Sequence, residues 1–215
     1  MRRKYEEELT ELKTAMVQMG ALCEEAISLA IRSLETGEEA LLARVNETDA
    51  SIDRAQRDIE AQCMRILLLQ LPVARDLRTI SSAMRMISDM ERIGDQASDI
   101  AGIAQYVLSR GPLGDGKLKQ MAGEAVSMVT DSIDSFVTDS AERARQVVLH
   151  DDVVDGLFDE IKRSLIETLR ADGADGEYCL DLLMIAKYLE RIGDHAVNIA
   201  GWVEYALTGE YDTDA

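Results

Sequence analysis

Glu91-Arg92-Ile93-Gly94-Asp95 recurs as Glu190-Arg191-Ile192-Gly193-Asp194, and the likeness runs on: residues 91–102 and 190–201 share nine of twelve positions in the frame E-R-I-G-D-x-A-x-x-I-A-G. Tyr106 and Tyr205 follow at the same offset of 99. Agreement this long marks a duplicated unit. Outward from it the repeat continues at a second offset, 102, where Met121 answers Met19, Phe136 answers Leu34, Val147 answers Val45, and Asp151 and Asp155 answer Asp49 and Asp53. The three residues lost between the two registers fall near Ala171–Gly176.

The periodicity around the repeats is helical. Leu9, Leu12, Met16, Met19, Cys23, Ile27, Ala30 and Leu34 step by three and four, the stripe of an amphipathic helix over 5–35. Thr36-Gly37 ends it. A second helix from about Glu38 carries Leu41, Val45, Ile52, Ile59, Cys63 and Ile66 and stops near Gln70, because Pro72 disfavours helix in its predecessor. Pro72 suits the first turn of a third helix, which reaches Tyr106 or Leu108 and is roughly 50 Å long. The segment 111–116, Gly-Pro-Leu-Gly-Asp-Gly, is the one clear linker. The chain is therefore expected to be all-α: two tandem, pseudo-symmetric three-helix bundles over 1–110 and 117–215.

Composition narrows the function. The 215 residues are 47% apolar but only 4% aromatic, and the net charge is −18. Residues 1–115 hold 14 basic and 20 acidic side chains (−6) and residues 116–215 hold 9 and 21 (−12). Phosphate contacts need clustered Lys and Arg, so nucleic acid is not an expected partner. Cys23, Cys63 and Cys179 are scattered, with no CxxC, and read as reduced core cysteines. There is no run of eighteen apolar residues and no signal-like opening. The expectation is a cytoplasmic protein that reaches a membrane only through partners. No nucleophile with its base, P-loop or dinucleotide fingerprint is present, and no catalytic residue is assigned.

The polar signal is a set of carboxylates at helical spacing. Glu91 and Asp95, and Glu190 and Asp194, lie one turn apart on one face, and Asp99 and Asn198 extend those rows. The preceding helix of each half carries Asp49 with Asp53, and Asp151 with Asp155. If consecutive helices are antiparallel neighbours, the two rows of a half face each other across a groove. Oxygen donors suit hard or borderline cations and argue against a Cys/His zinc site. Ion pairs on a helix surface, with Arg92 and Arg191 as counter-charges, are the competing reading. His195 is five residues from Glu190, so the Glu-x-x-His of ferritin-like di-iron bundles is absent. Gly94 and Gly193, inside helices, indicate close helix approach.

The corner Gln70-Leu71-Pro72-Val73-Ala74-Arg75-Asp76-Leu77-Arg78 with both ERIGD blocks, Leu189–Ala200 and Leu207–Glu210 resembles the PhoU family of phosphate-transport-system regulators over essentially the full length. The resemblance implies two three-helix bundles and E(D)xxxD motifs holding metal clusters at the surface, here Asp49/Asp53, Glu91/Asp95, Asp151/Asp155 and Glu190/Asp194. The metal is left open among Fe, Mn, Mg, Ca and Zn. Two departures stand out: Asp99 occupies a position where Asn is usual, and Gly102 and Gly201 replace residues often charged. By resemblance the expected function is non-enzymatic negative regulation of the phosphate-starvation response. The protein would be a dimeric adaptor between a PstB-like ATPase of the phosphate ABC transporter and a PhoR-like sensor histidine kinase. A metal-storage or buffering protein for iron or manganese is the alternative.

Overall fold

The computed structural model describes residues 2–111 and 116–210 and contains six helices and, among those residues, no strand. They are α1 (Arg2–Thr36), α2 (Glu39–Gln70), α3 (Arg75–Leu108), α4 (Lys117–Val137), α5 (Ala141–Leu169) and α6 (Gly176–Thr208). The all-α, twice-repeated three-helix architecture matches expectation. Most of the expected linker, 112–115, lies outside the described residues.

Helix boundaries follow local chemistry. Gly37 takes φ +70 after α1, and Gly209 takes φ +86 after α6 while its N–H bonds the Tyr205 carbonyl. Ser140 caps α5 by accepting from the Arg143 N–H, and Asp175 caps α6 through the Tyr178 N–H. The α2–α3 corner departs from expectation. Pro72 does not open α3, because Leu71 leaves α2 in a left-handed conformation (φ 48) and Ala74 repeats a positive φ (50) before the helix starts at Arg75. The proline thus lies inside a four-residue turn that carries exposed Leu71 and Val73.

The six helices share one apolar core. Within the first half α1, α2 and α3 pack on one another, and within the second α4, α5 and α6 do the same. The halves join through antiparallel contacts of α1 with α4 and of α3 with α6. Lys13 near the start of α1 bonds the Val137 carbonyl and Asp139 just beyond α4, while Glu35 near its end pairs with Lys119. Arg110 after α3 likewise meets Glu177 at 2.6 Å at the start of α6. The helices α1, α3, α4 and α6 therefore form a central layer, with α2 and α5 on its outer flanks. The expected stripes are the ones buried: Leu12, Met16, Met19 and Cys23 in α1, Val45, Ile52 and Ile59 in α2, and Ile93, Ala97 and Ile100 in α3. All three cysteines are free and buried.

One described helix, α1, is long and apolar enough over an 18-residue window to cross a membrane, although polar residues interrupt that window. Half of that window is buried in the core, which explains its hydropathy.

The flanking helices approach closely at the two glycines of the repeated frame. A Cβ at Gly94 would lie 2.7 Å from Asp49 Oδ1 and 2.9 Å from Ile52 Cδ1, and one at Gly193 would lie 3.1 Å from Asp151 Oδ1 and 3.5 Å from Val154 Cγ1. Gly→Ala in an open helix gains about 1 kcal/mol, whereas overpacking a tight site costs ~1–3 kcal/mol. Because Ile52 is fully buried and has little room to retreat, the clash wins at Gly94. In chemical denaturation G94A is expected to destabilise by ~1–2 kcal/mol, G193A less, and G102A, where a Cβ meets open space, to stabilise by up to about 1 kcal/mol.

Candidate functional site

The carboxylate rows flank those glycines. Gly94 lets Asp49 settle against α3, so the Asp49 and Asp53 row of α2 faces the Glu91 and Asp95 row of α3. Gly193 does the same for Asp151, bringing the Asp151 and Asp155 row of α5 to Glu190 and Asp194 of α6. The two expected grooves are thus each assembled from two neighbouring helices. Among the described residues, no three Asp, Glu, His or Cys side chains converge into metal-ligating geometry.

The electrostatics of the grooves are those of crowded anions. Asp49 is pushed above the usual carboxylate range by burial and then by Asp95, Asp53 and Asp99, against the approach of the Ser98 hydroxyl. That hydroxyl stops short of a completed hydrogen bond, and Asp49 Oδ1 is buried without a partner. Glu91 is raised by burial and by Asp95, with Arg92 opposing. In the second half burial, followed by Asp155, Asp194 and Glu190, pushes Asp151 up to about 6, and its Oδ1 is also buried without a partner. Asp155 and Asp194 are raised by burial and by Glu190, with Lys187 opposing both. Hard oxygen donors, one orphaned buried carboxylate oxygen in each groove and like charge that Arg92 and Lys187 only partly relieve are chemically compatible with a cation.

The outer members of the rows engage the α3–α6 interface. Asn198 donates to Asp89 Oδ1 at 3.2 Å, and His195 Nδ1 lies 3.0 Å from the same oxygen. Asp99 faces Tyr188 and Arg191 of α6, which hold its raised carboxyl partly down. The pairing has a reason in the repeat: Asp89 and Tyr188 are equivalent at the offset of 99, as are Asp99 and Asn198, so the antiparallel helices make the same contact twice. Asp89 and Tyr188 were not singled out from sequence, because neither lies on a carboxylate row. Lys187, three residues before Glu190, was missed as well, although its i,i+3 spacing is the sequence signature of a helix ion pair. Arg92 takes its expected role, with Nη1 2.9 Å from Asp95 and Nε 3.5 Å from Glu91.

The raised carboxyls set a pH dependence. A folded-state value above the unfolded one means that the folded chain holds the proton more tightly. The contribution of Asp151 to stability is then greatest below its unfolded value of 3.8 and is lost as pH rises through about 6. Discounted for partial exposure, ionising Asp151 is expected to cost about 1–2 kcal/mol. Urea denaturation in EDTA at pH 4.5 and 7.5 should show this loss, and Asp151→Asn should reduce it and stabilise the protein at the higher pH.

Comparison with known proteins agrees with this architecture. The PhoU domain family matches twice, over residues 16–104 and 118–203. A phosphate-specific transport system accessory protein PhoU homolog of Zymomonas mobilis is 35% identical over 97% of this chain and 88% of its own length, and homolog 1 of Thermotoga maritima is 34% identical over 96% and 90%. The crystal structure of PhoU from Pseudomonas aeruginosa superposes with a TM-score of 0.88 at 32% identity, covering 96% of this chain and 100% of that one. The phosphate transport system regulatory protein PhoU from Streptococcus pneumoniae also reaches 0.88, at 30% identity over 97% and 99%. Matched in both halves and along nearly its whole length, the chain belongs to the PhoU family.

Proposed function

We propose that this protein is a non-enzymatic, cytoplasmic negative regulator of the phosphate-starvation response. It acts as a dimeric adaptor between the ATPase of a phosphate ABC transporter and a sensor histidine kinase. The observation that carries the reading is the full-length likeness, groove helices included, to proteins described as accessory to and regulatory of phosphate transport. The excess of acidic side chains adds support, since it favours basic protein surfaces or cations as partners.

The grooves are the working part of the adaptor. Asp49, Asp53, Glu91 and Asp95 would hold one group of metal ions and Asp151, Asp155, Glu190 and Asp194 a second, with Asp99 and Asn198 at the margins where the α3–α6 contacts already employ them. Bound cations would supply positive charge to carboxylates that burial and one another disfavour. Fe, Mn, Mg, Ca and Zn all remain open to an oxygen-rich set of this kind. Metal loading would change both the charge and the rigidity of the α2–α3 and α5–α6 faces, and those faces are what the partners would read.

The test is a phosphate-starvation reporter in phosphate-replete cells lacking the gene, complemented with wild type or with Glu91, Asp95, Glu190 and Asp194 all changed to Ala. Metal content of the purified proteins is measured alongside. Wild type is expected to repress, and the folded variant to lose both metal and repression. Failure of wild type to repress would overturn the regulator assignment, and repression by a metal-free variant would remove the grooves from the mechanism.

A further inference from the structure

The two grooves carry different counter-charges, although they descend from one repeat. In the second half Lys187 Nζ pairs with Glu190 and lies 5.6 Å from the centroid of the Phe158 ring. Glu190 belongs to α6 and Phe158 to α5, so the ammonium bridges the two helices that form the groove. At the equivalent positions of the first half stand Ser88, whose hydroxyl is turned back to the Met84 carbonyl, and Gln56. Both the lysine and its aromatic shelf are therefore missing there. The cation of the first groove is Arg92, whose contacts, Glu91 and Asp95, both belong to α3. It thus pairs within one wall, and neither of these partners is a carboxylate of α2.

From this asymmetry we infer that Lys187 is the resident cation of the second groove, and that a metal ion entering there must displace a cation that bridges both helices, whereas in the first groove it meets only Arg92 on the α3 side. The inference rests on the metal-binding role proposed above. Its physical basis is that an ammonium and a metal ion compete for the same carboxylate charge, and the ammonium is tethered in place on the Phe158 face. The second groove then acts as the weaker site, responding at higher metal concentration than the first. A protein with two graded sites distinguishes a trace of metal from an excess, which two identical sites would not do.

The test isolates the second groove by combining D53N and D95N, so that Mn²⁺ uptake in equilibrium dialysis reports Asp151, Asp155, Glu190 and Asp194. Into this background go Lys187→Gln, which keeps the stem on Phe158 but removes the charge, and separately Lys162→Gln. Lys162 lies 5.8 Å from the same ring and pairs with Asp159, so its loss changes the net charge equally without touching Glu190. The expected result is that K187Q binds Mn²⁺ about tenfold more tightly and K162Q less than about twofold. In EDTA, K187Q should melt ~2–4 °C below its parent, a loss that Mn²⁺ reverses, with K162Q unchanged. Equal behaviour of K187Q and K162Q in affinity and melting temperature overturns the role of Lys187. Absence of Mn²⁺ uptake by protein with both grooves intact instead overturns the metal reading, and with it the order of loading, while the melting contrast in EDTA still decides whether Lys187 is the counter-ion.

Discussion

The structure depends on α3 and α6 being packed on three sides at once. Each touches the two other helices of its own half and then lies antiparallel on its counterpart in the other half. That demand gives them broad apolar faces: Ile80, Met86, Met90, Ile93 and Ile100 in α3, and Ile185, Leu189, Ile192, Ile199 and Val203 in α6, are all excluded from water or nearly so. Small residues such as Ala83, Ala97, Ala101, Ala196 and Ala200 let the backbones approach. Part of what remains of each helix surface lies toward the flanking helix, and the carboxylate rows occupy it. Their crowding follows from that placement between two closely packed helices.

The glycines in the repeated frame join packing to chemistry. Without a side chain at Gly94 and Gly193, α2 and α5 come close enough to press one carboxylate each, Asp49 and Asp151, against the neighbouring backbone. A carboxylate held there loses water and gains anionic neighbours, so it stores unfavourable electrostatic energy in the folded state. A proton or a nearby basic side chain relieves it, and under the function proposed above a metal ion would do the same. This sets the grooves apart from the rest of the acidic surface, where exposed ion pairs such as Arg44–Glu25 contribute little.

Duplication and divergence are visible in the same contacts. Asp89 with Asn198 repeats the geometry of Tyr188 with Asp99, so the interface between the halves keeps its pseudo-symmetry while the residues differ. The grooves diverge more, through Lys187 and Phe158 on one side and Ser88 and Gln56 on the other. Packing constrains the interface on both faces, whereas the open rim of a groove tolerates substitution and accommodates new electrostatics.

Helical periodicity, the doubled frame and the carboxylate spacing were legible in the chain itself, because they are one-dimensional consequences of 3.6 residues per turn. From them followed the six helices, the buried stripes of α1 and α2 and the four aspartate or glutamate rows. The E-R-I-G-D frame and the corner at Pro72 also carried the family resemblance. Tertiary structure alone decided the rest. That Asp99 and Asn198 serve the α3–α6 contact, that α1 and α4 join the halves into one core, and that Lys187 spans two helices all depend on which faces meet across large sequence separations. The turn at Leu71–Ala74 belongs to the same class, since two positive φ angles in non-glycine residues arise from closing α2 onto α3 and not from local preference. Spacing along a helix states which side chains share a face; only the docking of one helix on another states what that face encounters.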